Sequence, residues 1–130
     1  MKRQALLIFS HQLTAKQEED LREKWGVTRI VSLPDELQDR WTNVPPDIVS
    51  LRAFVRPVLE WLIETGYPND LVLVQGDFGA TFIVVNFSLR IGFVPIYSTT
   101  SRHVKEKSLP GGVVEQSRVF SHWMFRKYEA

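Results

Sequence analysis

Cysteine is absent, which excludes disulfides, thiolate metal ligands and a cysteine nucleophile, and suits a reducing compartment. Long apolar runs are absent too. Behind Met1-Lys2-Arg3-Gln4 only the short stretch Ala5 to Phe9 is uniformly apolar, too little for the hydrophobic segment of a secretion signal or for a membrane span. A cytoplasmic protein with no membrane partner is expected. Nor does one sign of charge prevail: 16 Lys and Arg stand against 15 Asp and Glu, a net charge of +1. That balance supplies no global field to hold a long nucleic acid and leaves room for a small anion bound locally. The 3 histidines are dispersed, and without cysteine they offer no metal-ligand spacing, so neither a metal nor a cofactor is expected.

What is present is ordinary globular composition, 44% hydrophobic and 24% charged residues, far from the profile of disorder. A chain of 130 residues has the length of one domain, so a single unit spanning 1–130 with one core and one principal site is expected.

Ala5 to Phe9 reads as a strand covered on both faces. Thr14 with Gln17 fits a capping box, and Leu21 and Trp25 share a helical face until Gly26 stops the helix. Thr28 to Leu33 reads as a second strand, ended by Pro34 and followed by a polar segment around Trp41. Pro45-Pro46 then opens a long amphipathic helix reaching Gly66, with a kink or break expected near Ala53 to Arg56 because Pro57 deletes a hydrogen bond. Leu71 to Gln75 is a third strand. Ala80 to Ile91 is apolar nearly all round and is taken as a helix, since the next parallel strand, Phe93 to Tyr97, needs a crossover. Pro95 cannot donate to a ladder, which places it toward an edge or a strand end. His103 to Lys107 and Val113 to Phe120, flanking Leu109-Pro110-Gly111-Gly112, read as an antiparallel hairpin. The order is that of an α/β fold: an open, doubly wound, mainly parallel sheet flanked by helices, with a C-terminal β-hairpin.

Ligands of such sheets bind beyond the carboxyl ends of the strands, where three segments fall. Ser10-His11-Gln12 follows the first strand, and His11 there suits an acid, a base or a hydrogen-bond donor. Gln75-Gly76-Asp77-Phe78-Gly79 follows the third, where two glycines and a helix N-terminus suit an anion. A strand-to-helix turn uses glycine without any ligand as well, and Asp77 reads first as a helix cap. Ser98-Thr99-Thr100-Ser101-Arg102 reads as a loop whose hydroxyls and guanidinium suit phosphate, or as a plain solvated loop. His103 and His122 lie in less favourable positions. Of the tryptophans, read as core or interface residues, Trp41 is the one whose surroundings would suit a base-stacking platform. The apolar helix Ala80 to Ile91 needs cover on every side, which favours a dimer.

Phe9-Ser10-His11-Gln12-Leu13, Val74-Gln75-Gly76-Asp77-Phe78-Gly79-Ala80-Thr81 and Pro95-Ile96-Tyr97-Ser98-Thr99-Thr100-Ser101-Arg102 together resemble the small stand-alone ring nucleases of type III CRISPR loci, which have a CARF-like Rossmann fold. The resemblance spans nearly the whole chain. It implies a homodimer that binds a cyclic oligoadenylate second messenger, most often the tetramer, and cleaves it to switch off the antiviral response. Carried over as site residues are Ser10, His11 and Arg102 for catalysis, and Gln12, Gln75, Gly76, Asp77, Phe78, Gly79, Ser98, Thr99 and Thr100 for ligand binding. Such an enzyme needs no metal, because each ribose of the ring carries a 2′-hydroxyl beside its own phosphate. The competing readings are a cyclic-oligoadenylate sensor of the same fold that does not cut, and an unrelated flavodoxin-like mononucleotide binder.

Overall fold

A computed structural model describes residues 2–130, with the side chains of 103, 105 and 118–120 outside the described set. The apolar run near the start forms β1 (Arg3–Phe9), in which Ala5, Leu6 and Ile8 are fully buried. Thr14 caps α1 (Ala15–Lys24) with both halves of the expected capping box, and Gly26 takes a left-handed conformation just past its end. There follow β2 (Val27–Ser32), α2 (Asp35–Thr42), α3 (Arg52–Thr65), β3 (Leu71–Gln75), α4 (Phe78–Ile91), β4 (Val94–Ser108) and β5 (Val114–Lys127). Among the described residues these strands form one sheet in the order β2-β1-β3-β4-β5. Its first four members pair in parallel and β5 runs antiparallel to β4. The protein is thus mixed α/β, a mainly parallel central sheet flanked by helices with a C-terminal antiparallel pair.

Alternation along the strands divides the core in two. Leu6, Ile8, Val72 and Val74 pack with Trp41 of α2, Val55, Val58 and Leu62 of α3, and Ala80 and Val84 of α4. Ala5, Leu7, Phe9, Leu71, Leu73 and Ile96 face the other way, against Leu21 of α1 and Phe125 of β5.

Three expectations are corrected. The helix opened by Pro45-Pro46 begins only at Arg52; residues 46–50 form a turn and a bend that stay exposed, so no core burial holds them helical. Ile48, counted into its periodicity, lies exposed. α3 also runs unbroken through Pro57. The missing N–H withdraws only the bond to the carbonyl of Ala53, an exposed residue. Lastly, Ser98 to Arg102 is not a loop. β4 pairs with β3 only over Val94 to Ile96, and beyond that it continues to Ser108 as a two-stranded ribbon with β5. Beyond the buried Ser98, the polar, loop-like composition reflects a stretch of ribbon, Thr99 to Arg102, whose residues are half-buried or exposed. Pro95 sits at the second residue of β4, near a strand end as expected.

Candidate functional site

β1 and β3 are neighbours, with Phe9 opposite Gln75, while α1 leaves β1 toward one face and α4 leaves β3 toward the other. This is the point where the winding of the sheet reverses, the place where folds of this kind take their ligands. Ser10-His11-Gln12 and Gly76-Asp77 follow the two strand ends there, side by side in register. Ser10, His11 and Gln12 line a cavity of about 560 Å³ that Glu18, Arg22 and Asp35 also border. His11 is exposed and meets the ring of Phe9 edge-on at 5.5 Å. Arg22 is already engaged, with Glu18 at 3.2 Å and the Thr28 carbonyl at 3.2 Å. The cavity beside His11 is therefore not a basic one.

At the end of β3, Gly76 and Gly79 have no left-handed backbone; the glycines that do are Gly26, Gly92, Gly111 and Gly112. Their role is close packing. A Cβ on Gly76 would lie 2.7 Å from Nε1 of Trp41, and one on Gly79 would lie 2.9 Å from Cδ1 of Leu51. Trp41 is only 2% exposed and donates from Nε1 to the Gln75 carbonyl at 3.0 Å, so it supports the turn from beneath and cannot serve as a base-stacking platform. Asp77 caps α4, its Oδ2 accepting from the Ala80 N–H at 3.0 Å. Phe78 is the first residue of α4 and stands exposed, and Gly79 lies in the first turn.

In a strand, Ser98, Thr100 and Arg102 face one way and Thr99 and Ser101 the other, so the four hydroxyls do not converge. Thr99 Oγ1 donates to the Met124 carbonyl at 3.0 Å, and the hydroxyls of Ser101 and Ser121 meet across the ribbon at 3.2 Å. Arg102 is exposed and lies four residues beyond Ser98, about 13 Å along the strand.

Ser98 instead belongs to a buried polar array that sequence reasoning did not foresee. Its N–H donates to Gln75 Oε1 at 2.8 Å, and its hydroxyl meets His122 Nδ1 at 2.5 Å. His122 Nε2 meets Asp20 Oδ2 at 2.6 Å, and Gln17 Nε2 donates to Ser98 Oγ at 3.4 Å. A β-bulge makes the array. Ser98 pairs with Phe125 and Thr100 with His122, so Trp123 and Met124 together oppose Thr99 alone. The extra residue turns His122 and Phe125, three positions apart, to the same face, where their rings sit 4.4 Å apart. The available signal was in α1, whose buried side carries the polar Gln17 and Asp20 beside Leu21. His103 lies outside the described side chains.

Arginines gather elsewhere. Arg52, Arg56 and Arg90 border a groove of about 270 Å³ between α3 and α4 that no carboxylate lines. Among the described residues no group of three His, Asp or Glu converges as a metal site, and no helix is long and apolar enough to cross a membrane.

The family model described as "Uncharacterized protein MJ1673 family" matches residues 3–126. The "Uncharacterized protein MJ1673" of Methanocaldococcus jannaschii is 44% identical over 122 residues, covering 94% of each chain. No solved structure matches.

Proposed function

Starting from the fact that the chain belongs to the uncharacterized protein MJ1673 family, we propose that it is a metal-independent ring nuclease with a CARF-like Rossmann fold. In this reading a cytoplasmic homodimer binds cyclic oligoadenylate, most often cyclic tetra-adenylate. It opens the ring to linear products ending in a 2′,3′-cyclic phosphate and so switches off type III CRISPR signalling. The observation that carries it is the juxtaposition of Ser10-His11 with Gly76-Asp77 at the reversal point between β1 and β3.

The chemistry asks for little machinery. A ribose 2′-hydroxyl attacks its own adjacent phosphorus, the P–O5′ bond breaks, and the leaving oxygen takes a proton, so the protein need only hold the attack in line. His11, exposed just past the end of β1, accepts the hydroxyl proton, and Ser10 orients that hydroxyl. The first backbone N–H groups of α4, at Phe78 and Gly79, face the developing negative charge. Arg102 contributes from the ribbon, and Gln75, through its bond to Ser98, fixes where the ribbon leaves the sheet.

The test is incubation with cyclic tri-, tetra- and hexa-adenylate in excess EDTA, with products resolved by chromatography. Linear products ending in a 2′,3′-cyclic phosphate are expected, with His11→Ala slower by about 100-fold or more. Saturable binding without cleavage would make the protein a sensor of the ring. Absence of both would remove cyclic oligoadenylate from consideration.

A further inference from the structure

The groove between α3 and α4, of about 270 Å³, shares no residue with the strand-end site. We propose that it is a docking surface for an acidic amphipathic helix of a partner protein. The inference does not rest on the ring-nuclease reading.

Three cations stand on its two walls. Arg52 and Arg56 come from successive turns of α3, four residues or about 6 Å apart along the axis, and Arg90 comes from the last turn of α4. All three are exposed, and among the described residues none makes a hydrogen bond or an ion pair. Arg3, Arg22, Arg40 and Arg126, by contrast, each donate to an oxygen of the protein. α4 carries no acidic residue, and Glu60 and Glu64 of α3 lie farther round their helix, outside the groove lining. Three unpaired cations around one groove select an occupant that brings anions.

The floor decides which anions. Leu59 and Ile83 are half-buried there and pack on the core beneath, while Phe82 stands 70% exposed at the rim. An aliphatic floor gives the apolar side chains of a protein partner a place to bury and gives a nucleic-acid base no stacking face. The net charge of +1 adds no field beyond the groove to gather a phosphate chain. Carboxylates are therefore favoured over phosphates.

The walls decide the form of the occupant. Both are helices, whose backbone groups are bonded within themselves, so an extended segment would find no sheet edge to pair with. A third helix satisfies its own backbone and packs its ridges into the channel. Acidic residues four positions apart on it repeat the spacing of Arg52 and Arg56. A second copy of this chain, laid groove to groove about a two-fold axis, would set arginines against arginines.

A fluorescein-labelled synthetic helix of about 18 residues, with leucines on one face and glutamates flanking them, tests this by anisotropy against the full chain. Saturable binding with a Kd below about 100 µM is expected, weakened about tenfold or more when salt rises from about 50 mM to about 500 mM. The same peptide with lysine in place of glutamate should not bind. Arg56→Glu, a change at an exposed position, should keep the unfolding midpoint and weaken binding of the acidic peptide at least about fivefold, and Arg90→Glu should do the same. Ser10→Ala, at the strand ends, should bind the peptide like the parent. The assignment is overturned if the acidic peptide does not saturate, if the lysine peptide binds as well, if Arg56→Glu binds like the parent, or if Ser10→Ala loses binding. An oligouridylate of about 20 nucleotides that displaces the peptide and binds more tightly would give the groove to single-stranded nucleic acid instead. An assembly of the parent that Arg56→Glu dissociates in sedimentation velocity would overturn it too, in favour of a second copy.

Discussion

Tyr128 fastens the end of the described chain to the centre of the sheet. Its hydroxyl donates to the Val74 carbonyl at 2.7 Å, its N–H donates to the Pro95 carbonyl at 3.0 Å, and its ring lies 4.7 Å from that of Tyr97. Because β4 pairs with β3 only as far as Leu73, the phenol takes the acceptor that comes next. Burial first, and the neighbouring Tyr97 second, push the Tyr128 phenol above its ordinary value of 10.0. A raised value means that the folded state holds this proton more tightly than the unfolded chain does. The stabilisation is therefore complete below about pH 10 and is lost as pH rises through the folded value. Tyr128→Phe should cost about 1 kcal/mol at neutral pH and should flatten the decline above about pH 10, measured by urea unfolding across that range. An undiminished alkaline decline in the variant would assign it to other groups. At this scale the sequence was partly legible. His11 announces itself by following a buried strand, whereas His122 acquires partners only through a β-bulge and through Asp20, 102 residues away.

Elements were read most easily where local chemistry sets them. Thr14 and Gln17 cap α1 as their spacing implies, Asp77 caps α4, and the apolar runs of β1 and β3 became the buried centre of the sheet. They were read least well where tertiary context overrides composition. Ser98 to Arg102 has loop residues yet continues β4, because pairing with β5 satisfies its backbone after β3 has ended. The glycines after β3 were a third case: their spacing suits an anion, but Gly76 is also required by the Trp41 indole packed against it. Gly76→Ala would set a Cβ 2.7 Å from Nε1, 2.9 Å from Cε2 and 3.0 Å from Cζ2 of that buried ring. Overpacking of this kind costs about 1–3 kcal/mol, and here it also strains the bond from Trp41 to the Gln75 carbonyl. A denaturant midpoint lowered accordingly, with no ligand present, is the expected result. An unchanged midpoint together with lost ligand binding would mean that the glycine is kept for the ligand and not for the tryptophan.

For the molecule as a whole, the open question is what covers α4. Its inner side closes the core through Ala80, Val84 and Ser88, while Phe78, Phe82 and Leu89 stand 93%, 70% and 37% exposed. These three, with half-buried Val85, follow helical spacing and form one outer stripe. An exposed aromatic stripe on a helix is a common site of self-association, and a two-fold axis is the simplest arrangement that covers it twice with one patch. The expected state is a homodimer at micromolar concentration by sedimentation velocity. Phe82→Lys is the informative variant. The side chain is already exposed, so the monomer should keep its unfolding midpoint, whereas a two-fold interface would bury two lysines and lose two phenyl rings. A loss on the order of 1–3 kcal/mol per ring weakens the dimer by roughly 30-fold or more. A parent chain that stays monomeric to about 100 µM would leave the stripe uncovered and remove this interface, since partners that need over about 5 kcal/mol to associate at that concentration would not have it. If the dimer forms and ring cleavage falls with dilution in step with dissociation, then two copies are needed to hold one substrate, and the paired strand-end sites are the unit of function rather than either site alone.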